Sequence, residues 1–328
     1  MSAVAPTVEA VVDAAGGHVR TLMASLEERL AELAAGHGEL LARHGGDTIA
    51  AGGKRLRPLV VFVAAGELPD DGGLGLIRAA AAVELVHSAT LVHDDVLDAA
   101  DLRRGRPTVV ASAGRAMATA TGDLLFSRAF AELARNGRRD EVRALSTAST
   151  ALARGELLQR TDAFDMDVTV ERYLRRCELK TAALFEAACE LGAREGGADE
   201  ASVGELAGFG RRIGLAFQLL DDVLDVSGAP ERTGKRRGAD LLDGTITLPL
   251  ILARQRSGDL AGLDLREVVD AAEGESVCDA IEATGALEDA RRVALEMVAE
   301  ARAALPPLST AQLRALHLIA AGVVDRYA

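Results

Sequence analysis

Apolar residues recur at positions i, i+3, i+4 and i+7 along almost the whole chain, the spacing that gathers them on one face of an α-helix. Leu22, Leu26, Leu30 and Leu33 show it within Val19–Ala35. The same pattern predicts helices over Leu76–Asp98, Val109–Arg135, Asp140–Gln159, Val170–Leu191, Ala201–Val226, Leu248–Arg256, Ser276–Ala304 and Thr310–Tyr327. Alternating, β-branched runs that would mark strands are essentially missing. The breaks read as short loops: HGGDTIAAGGKRLRP, GELPDDGG, LRRGRPT, TDAFDMD, REGGADE and, longest, SGAPERTGKRRGADLLDGT. Neither a solenoid repeat nor a linker between domains is visible. The expectation is one all-α domain over residues 1–328, with roughly ten or more helices.

Composition narrows this picture. Hydrophobic residues make up 49% of the 328, so a sizeable core is expected, but aromatics are only 3% and Trp is absent. Ala, Leu and Val must therefore fill the core, which suits close-packed helices. The net charge of −13 excludes general nucleic-acid binding and favours a cationic ligand or metal. Cys177, Cys189 and Cys278 are scattered and odd in number, which predicts no disulfide framework and a reducing compartment, the cytoplasm. The N-terminus shows no signal-peptide pattern, and no uncharged apolar run reaches the roughly 18 residues of a membrane span.

Against this background one acidic pentapeptide, DDVLD, occurs twice, at Asp94–Asp98 and at Asp221–Asp225. Each closes an apolar helix. Residues i and i+4 share a helix face, so Asp94 sits beside Asp98, and Asp221 beside Asp225. Such pairs repel, more so near a core, and acids are disfavoured at helix C-termini. One copy reads as well as a solvated helix end. Two copies point to a divalent cation, and hard oxygen ligands without His or Cys favour Mg²⁺ over zinc. Magnesium held by few carboxylates completes its shell with water and phosphate oxygens. Three basic clusters fit a phosphate: Lys54, Arg55 and Arg57; Arg103, Arg104 and Arg106; Arg232, Lys235, Arg236 and Arg237. Each alone reads as a solvated loop; together with the acids they describe a diphosphate site.

The motifs GGKRLRP, HSATLVHDDVLDAADLRRGRPT, ELKTAALFEAAC, FQLLDDVLD and GKRRGADLLDGTITLP, in this order from about Gly52 to Pro249, resemble the trans-isoprenyl diphosphate synthases, or polyprenyl synthetases. The resemblance implies an antiparallel helical bundle around a deep central cavity, with the two Asp-rich motifs facing each other across its mouth. It implies that Asp94, Asp98 and Asp221 bind Mg²⁺, with Asp95, Asp222 and Asp225 in support. Arg103, Lys180, Thr181, Gln218 and Lys235 match positions that contact the allylic substrate. Lys54, Arg57, His87 and Arg104 match those that hold isopentenyl diphosphate. His87 lies seven residues before Asp94, two turns along the same face. Alone it would read as a core histidine; His93 is read as a neighbour of the site. No side-chain nucleophile is implied, and no convincing triad is present. Thr181 and Gln218 offer dipoles near a developing allylic cation. One position departs from the family: where GKxTLP is common, this chain has Gly244-Thr245-Ile246-Thr247-Leu248-Pro249. One diphosphate contact is then missing, or Lys235 or Arg236 supplies it.

Product length in this family follows the floor of the cavity. Ala89 and Thr90, the fifth and fourth residues before Asp94, are small where short-chain enzymes tend to carry an aromatic. The path is then open about 7.5 Å from the motif. Phe126 and Phe130 are candidates for a deeper floor, with ordinary core packing an equal alternative. The expectation is a C30–C50 all-trans product from a homodimer that touches membranes transiently. Alternatives are a C15 or C20 synthase, a class I terpene cyclase, and a non-catalytic subunit of a heteromeric synthase. The second intact DDVLD and the lack of Trp argue against a cyclase, and the retention of both motifs argues against a non-catalytic subunit.

Overall fold

The computed structural model describes residues 8–35, 38–50, 53–69, 71–103, 105–228 and 237–325. The described residues are almost wholly helical: α1 (Val8–Ala15), α2 (Gly17–Ala35), α3 (Glu39–Ala50), α4 (Leu56–Ala65), α5 (Leu74–Leu97), α6 (Val109–Ala113), α7 (Arg115–Ala134), α8 (Arg139–Asp162), α9 (Val170–Cys177), α10 (Ala183–Glu195), α11 (Glu200–Ser227), α12 (Ala239–Leu242), α13 (Leu248–Arg254), α14 (Gly258–Ala261), α15 (Ala271–Ala283), α16 (Ala286–Ala303) and α17 (Thr310–Asp325). The all-α expectation holds.

Helix α5 is the central element. It packs on α7, α4 and α10, while α11 lies between α10 and α16. Ala79 to Ala82 are fully buried on α5, and side chains this small let neighbouring backbones approach closely. By length and composition α5 resembles a membrane span, but 72% of its apolar window is buried inside the protein, as befits a core helix. Cys177, Cys189 and Cys278 are free, buried thiols.

The sequence pattern and the structure differ where glycines intervene or packing overrides propensity. The segment predicted over Val109–Arg135 breaks at Gly114 (φ 83°), and Ser276–Ala304 breaks at Gly285 (φ 74°). Much of HGGDTIAAGGKRLRP is not loop: α3 covers its first half, because buried Ile49 and His44 anchor a stretch that Gly45 and Gly46 make a poor helix former. Within LRRGRPT, β1 (Leu102–Arg103) and β2 (Arg106–Pro107) pair antiparallel as the two arms of a small hairpin. Arg104, Arg232, Lys235 and Arg236 lie outside the described residues.

A π-helical turn, Glu178–Ala182, joins α9 to α10. Two glycines admit it. A Cβ on Gly155 of α8 would lie 2.6 Å from the Lys180 backbone nitrogen, and one on Gly214 of α11 would lie 2.7 Å from the Ala182 Cα. Neither neighbour is a flexible side-chain end, so a methyl group must displace the turn. Gly155→Ala and Gly214→Ala are each expected to cost about 1–3 kcal/mol in chemical denaturation. Gly204→Ala in the same α11, where a Cβ meets nothing within 4 Å, is expected to stabilise by up to about 1 kcal/mol.

Candidate active site

The last turns of α5 and α11 face one cavity of about 220 Å³. Asp94 and Asp98 reach it from α5; Gln218, Asp221 and Asp222 from α11. Asp240, Asp243 and Thr245, on α12 and the turn after it, close a third side. Two cations arrive on less regular elements: Arg103 on the hairpin and Lys180, beside Thr181, on the π-turn. Gln159 and Arg160 end α8. A larger groove of about 530 Å³ runs along α8 and α10, with arginines and glutamates on its rim, and contains no residue of either acidic motif.

Burial dominates the electrostatics. Desolvation pushes the Asp94 carboxyl up to about 6, helped by Glu156 and Asp98 and opposed by Lys180 and Arg103. Desolvation also raises Asp95, although Arg103 Nε donates to its Oδ1 at 2.7 Å. Asp222 is raised by desolvation and next by the charge of Asp240. Two donors hold it: the Tyr173 hydroxyl at 2.6 Å and Gln218 Nε2 at 2.8 Å. Thr181 Oγ1 in turn donates to Gln218 Oε1 at 2.6 Å, a relay that orients the Gln218 amide. Lys180 Nζ lies 2.5 Å from Glu156 and donates to Gln159 at 3.1 Å. Arg160 spans Glu156 and Asp98. Asp225 accepts at its carbonyl from Gly238 N (2.9 Å) and at its carboxylate from Asp240 N (3.3 Å), tying α12 to α11.

Comparison with known proteins bears on this arrangement. The Polyprenyl synthetase family matches residues 39–284. The chain belongs to that family. A polyprenyl synthetase is a prenyltransferase that elongates prenyl chains, and this one is similar to the heptaprenyl diphosphate synthase component 2 of Geobacillus stearothermophilus (42% identity, 73% of this chain and 74% of the relative). It is 36% identical to the octaprenyl diphosphate synthase of Escherichia coli over 82% of this chain and 84% of the relative. The fold matches a polyprenyl synthase from Caulobacter crescentus solved with calcium and isoprenyl diphosphate, with a TM-score of 0.89, 35% identity and 99% of both chains covered.

The residues fit a divalent cation by their chemistry. Six aspartates, Asp94, Asp98, Asp221, Asp222, Asp240 and Asp243, share the cavity, and those raised by burial are the ones a positive charge would relieve. Among the described residues no three acidic, imidazole or thiol side chains converge on one metal position. Oxygens from a bound molecule would complete the shell.

Not every expected residue of the polyprenyl synthetase lines this cavity. Lys54 is exposed, and the Arg57 guanidinium stacks 4.5 Å over the Phe185 ring. His87 is half-buried and its carbonyl accepts from the Thr90 hydroxyl at 2.8 Å. Arg55, in the same basic motif, is buried between Glu27 and Glu84 at 2.7 Å each, which makes it a structural cation. Ala89 is fully buried in the core, Phe126 stacks on His93 (centroids 5.8 Å apart), and Phe130 packs half-buried against the core. Glu156, Gln159, Arg160, Tyr173, Arg176, Asp240 and Asp243 were missed by sequence reasoning. The signal available was GELLQR, whose polar residues at i, i+3 and i+4 share one helix face.

A folded-state pKa above the ordinary carboxylate value means that Asp94 supports the fold when protonated. That support is full below the unfolded value and is lost as pH rises through about 6. Without divalent cations, Asp94→Asn is therefore expected to raise the melting temperature at pH 7.5 and to leave it nearly unchanged at pH 4.

Proposed function

We propose that this protein is an Mg²⁺-dependent, all-trans polyprenyl diphosphate synthase that adds isopentenyl diphosphate head-to-tail to an allylic diphosphate. The observation that carries the reading is the pair of carboxylate clusters, from α5 and α11, facing one cavity that also holds Arg103 and Lys180. Asp94, Asp98 and Asp221 would hold the metal; Asp95, Asp222 and Asp225 orient their surroundings. Bound Mg²⁺ supplies Lewis-acid neutralisation of the diphosphate. Arg103, Lys180 and, outside the described residues, Lys235 bind the allylic diphosphate oxygens, while Lys54, Arg57, His87 and Arg104 hold isopentenyl diphosphate. The allylic C–O bond breaks and its electron pair leaves with diphosphate. The isopentenyl double bond then forms the new C–C bond, and the released diphosphate takes the proton. Thr181 and Gln218 set oxygen and amide dipoles beside the allylic carbon.

The small residues Ala89 and Thr90, together with relatives named as heptaprenyl and octaprenyl synthases, support a C30–C50 product. We place the protein in the cytoplasm as a homodimer in transient contact with the membrane. A second reading, the catalytic member of a heteromeric synthase, is favoured by the relative named as a component 2. Purified protein with Mg²⁺, isopentenyl diphosphate and C5, C10, C15 or C20 primers is expected to yield a ladder ending at C30 or beyond. Asp94→Ala and Asp221→Ala should each lower kcat at least about 10²–10³-fold. Thr90→Phe should shorten the ladder. No elongation by the protein alone, restored by a second subunit, selects the heteromeric reading; a cyclised hydrocarbon sinks the synthase.

A further inference from the structure

Tyr173 stands behind the cavity wall, yet its hydroxyl reaches a side chain that lines the cavity, Asp222. Helix α9 is short, and its buried face carries Tyr173, Arg176 and Cys177, at i, i+3 and i+4. The Tyr173 side chain is fully buried, and the Arg176 guanidinium lies 5.5 Å from its ring centroid. Packing therefore gives the hydroxyl one direction, and it donates to Asp222 Oδ2 at 2.6 Å.

The second oxygen of the same carboxylate continues the chain. Oδ1 accepts from Gln218 Nε2 at 2.8 Å, one helical turn away on α11. An amide that turns its nitrogen to Asp222 must turn its oxygen the other way, and Oε1 accepts from Thr181 Oγ1 at 2.6 Å. The Thr181 hydrogen is thus spent on Gln218, and its oxygen lone pairs remain for the cavity that Thr181 lines. Four side chains from α9, the π-turn and α11 form one relay with one direction. In this direction it offers oxygen lone pairs to a developing allylic cation; reversed, it would aim a hydroxyl hydrogen there. Asp222 is only 4% exposed, and Tyr173 and Gln218 grip it from two sides, which fixes the plane of its carboxyl group. Without the Tyr173 hydroxyl one grip is lost, the carboxyl can turn, and the Gln218 amide is released with it.

We propose that Tyr173 is a positioning residue of the synthase: it fixes the Asp222 carboxyl plane and, through Gln218, keeps the Thr181 oxygen presented to the allylic carbon. This rests on the synthase reading above. The alternative is a tyrosine that only fills the space between α9 and α11.

The test is a double-mutant cycle of Tyr173→Phe and Thr181→Val, read as kcat with Mg²⁺ and a primer that the unmodified protein extends, with KM for isopentenyl diphosphate measured alongside. Tyr173→Phe, which removes one oxygen and keeps the ring, is expected to lower kcat about tenfold and to leave that KM within about twofold. In the Thr181→Val background the same change should lower kcat less than about twofold, because the oxygen it positions is gone. An unchanged kcat in Tyr173→Phe overturns the proposal. An equal loss in both backgrounds also overturns it, since a packing role behaves so. Where Tyr173→Phe fails to fold, the cycle is repeated in an Asp222→Asn background, which removes the buried charge. There a change of at least about threefold with Thr181 that is absent with Val supports the proposal, and no change, or the same change in both, overturns it. No elongation by the unmodified protein overturns this inference together with the synthase reading. Elongation with an additive cycle overturns the inference alone.

Discussion

Carboxylates held at the ends of buried helices are the constraint around which the site is organised. The final turns of α5 and α11 bring aspartates to one cavity where burial desolvates the carboxyls and like charges are close. Helix ends of this polarity do not favour acids, and burial favours them still less. Glu156 and Asp240 add to that field, while hydrogen-bond donors and cations moderate it. Tyr173 and Gln218 hold Asp222, Arg103 holds Asp95, and Arg160 reaches Asp98. The balance remains acidic, which describes a site completed by metal and diphosphate rather than by protein alone.

The fold places the charged groups on different kinds of element, although Arg160 and Arg176 also ride on helices. Most of the carboxylates ride on regular helices, whose backbones fix their spacing. Arg103 and Lys180 ride on irregular pieces, the hairpin and the π-turn. Gly155 and Gly214 let that turn pass close to α8 and α11, so Lys180 is placed by backbone contact as much as by its own ion pair with Glu156. A cation on an adjustable element suits a substrate that arrives charged and leaves changed.

The helical class and the two acidic clusters were legible because both depend on local periodicity. Hydrophobic spacing placed α5, α8 and α11 within a few residues, and DDVLD repeats at the ends of two of them. Chain breaks at Gly114 and Gly285 were not legible, because the apolar pattern continues across them. Helix α3 was hidden by Gly45 and Gly46, whose poor propensity is overridden by the burial of Ile49 and His44. Arg55 looked equivalent to Lys54 and Arg57 in GGKRLRP, but only three dimensions show Glu27 and Glu84 beside it. Arg176 was equally invisible, since its partner Ile246 is 70 residues away in sequence.

The central claim is that metal and diphosphate complete one another's site between the two aspartate clusters. The direct measurement is a calorimetric titration of Mg²⁺ into the protein with and without inorganic diphosphate. The account predicts weak Mg²⁺ binding alone, binding at least about tenfold tighter with diphosphate, and reciprocal tightening of diphosphate by Mg²⁺. Equal Mg²⁺ affinity in both conditions, or coupling that survives loss of both Asp94 and Asp221, would contradict it.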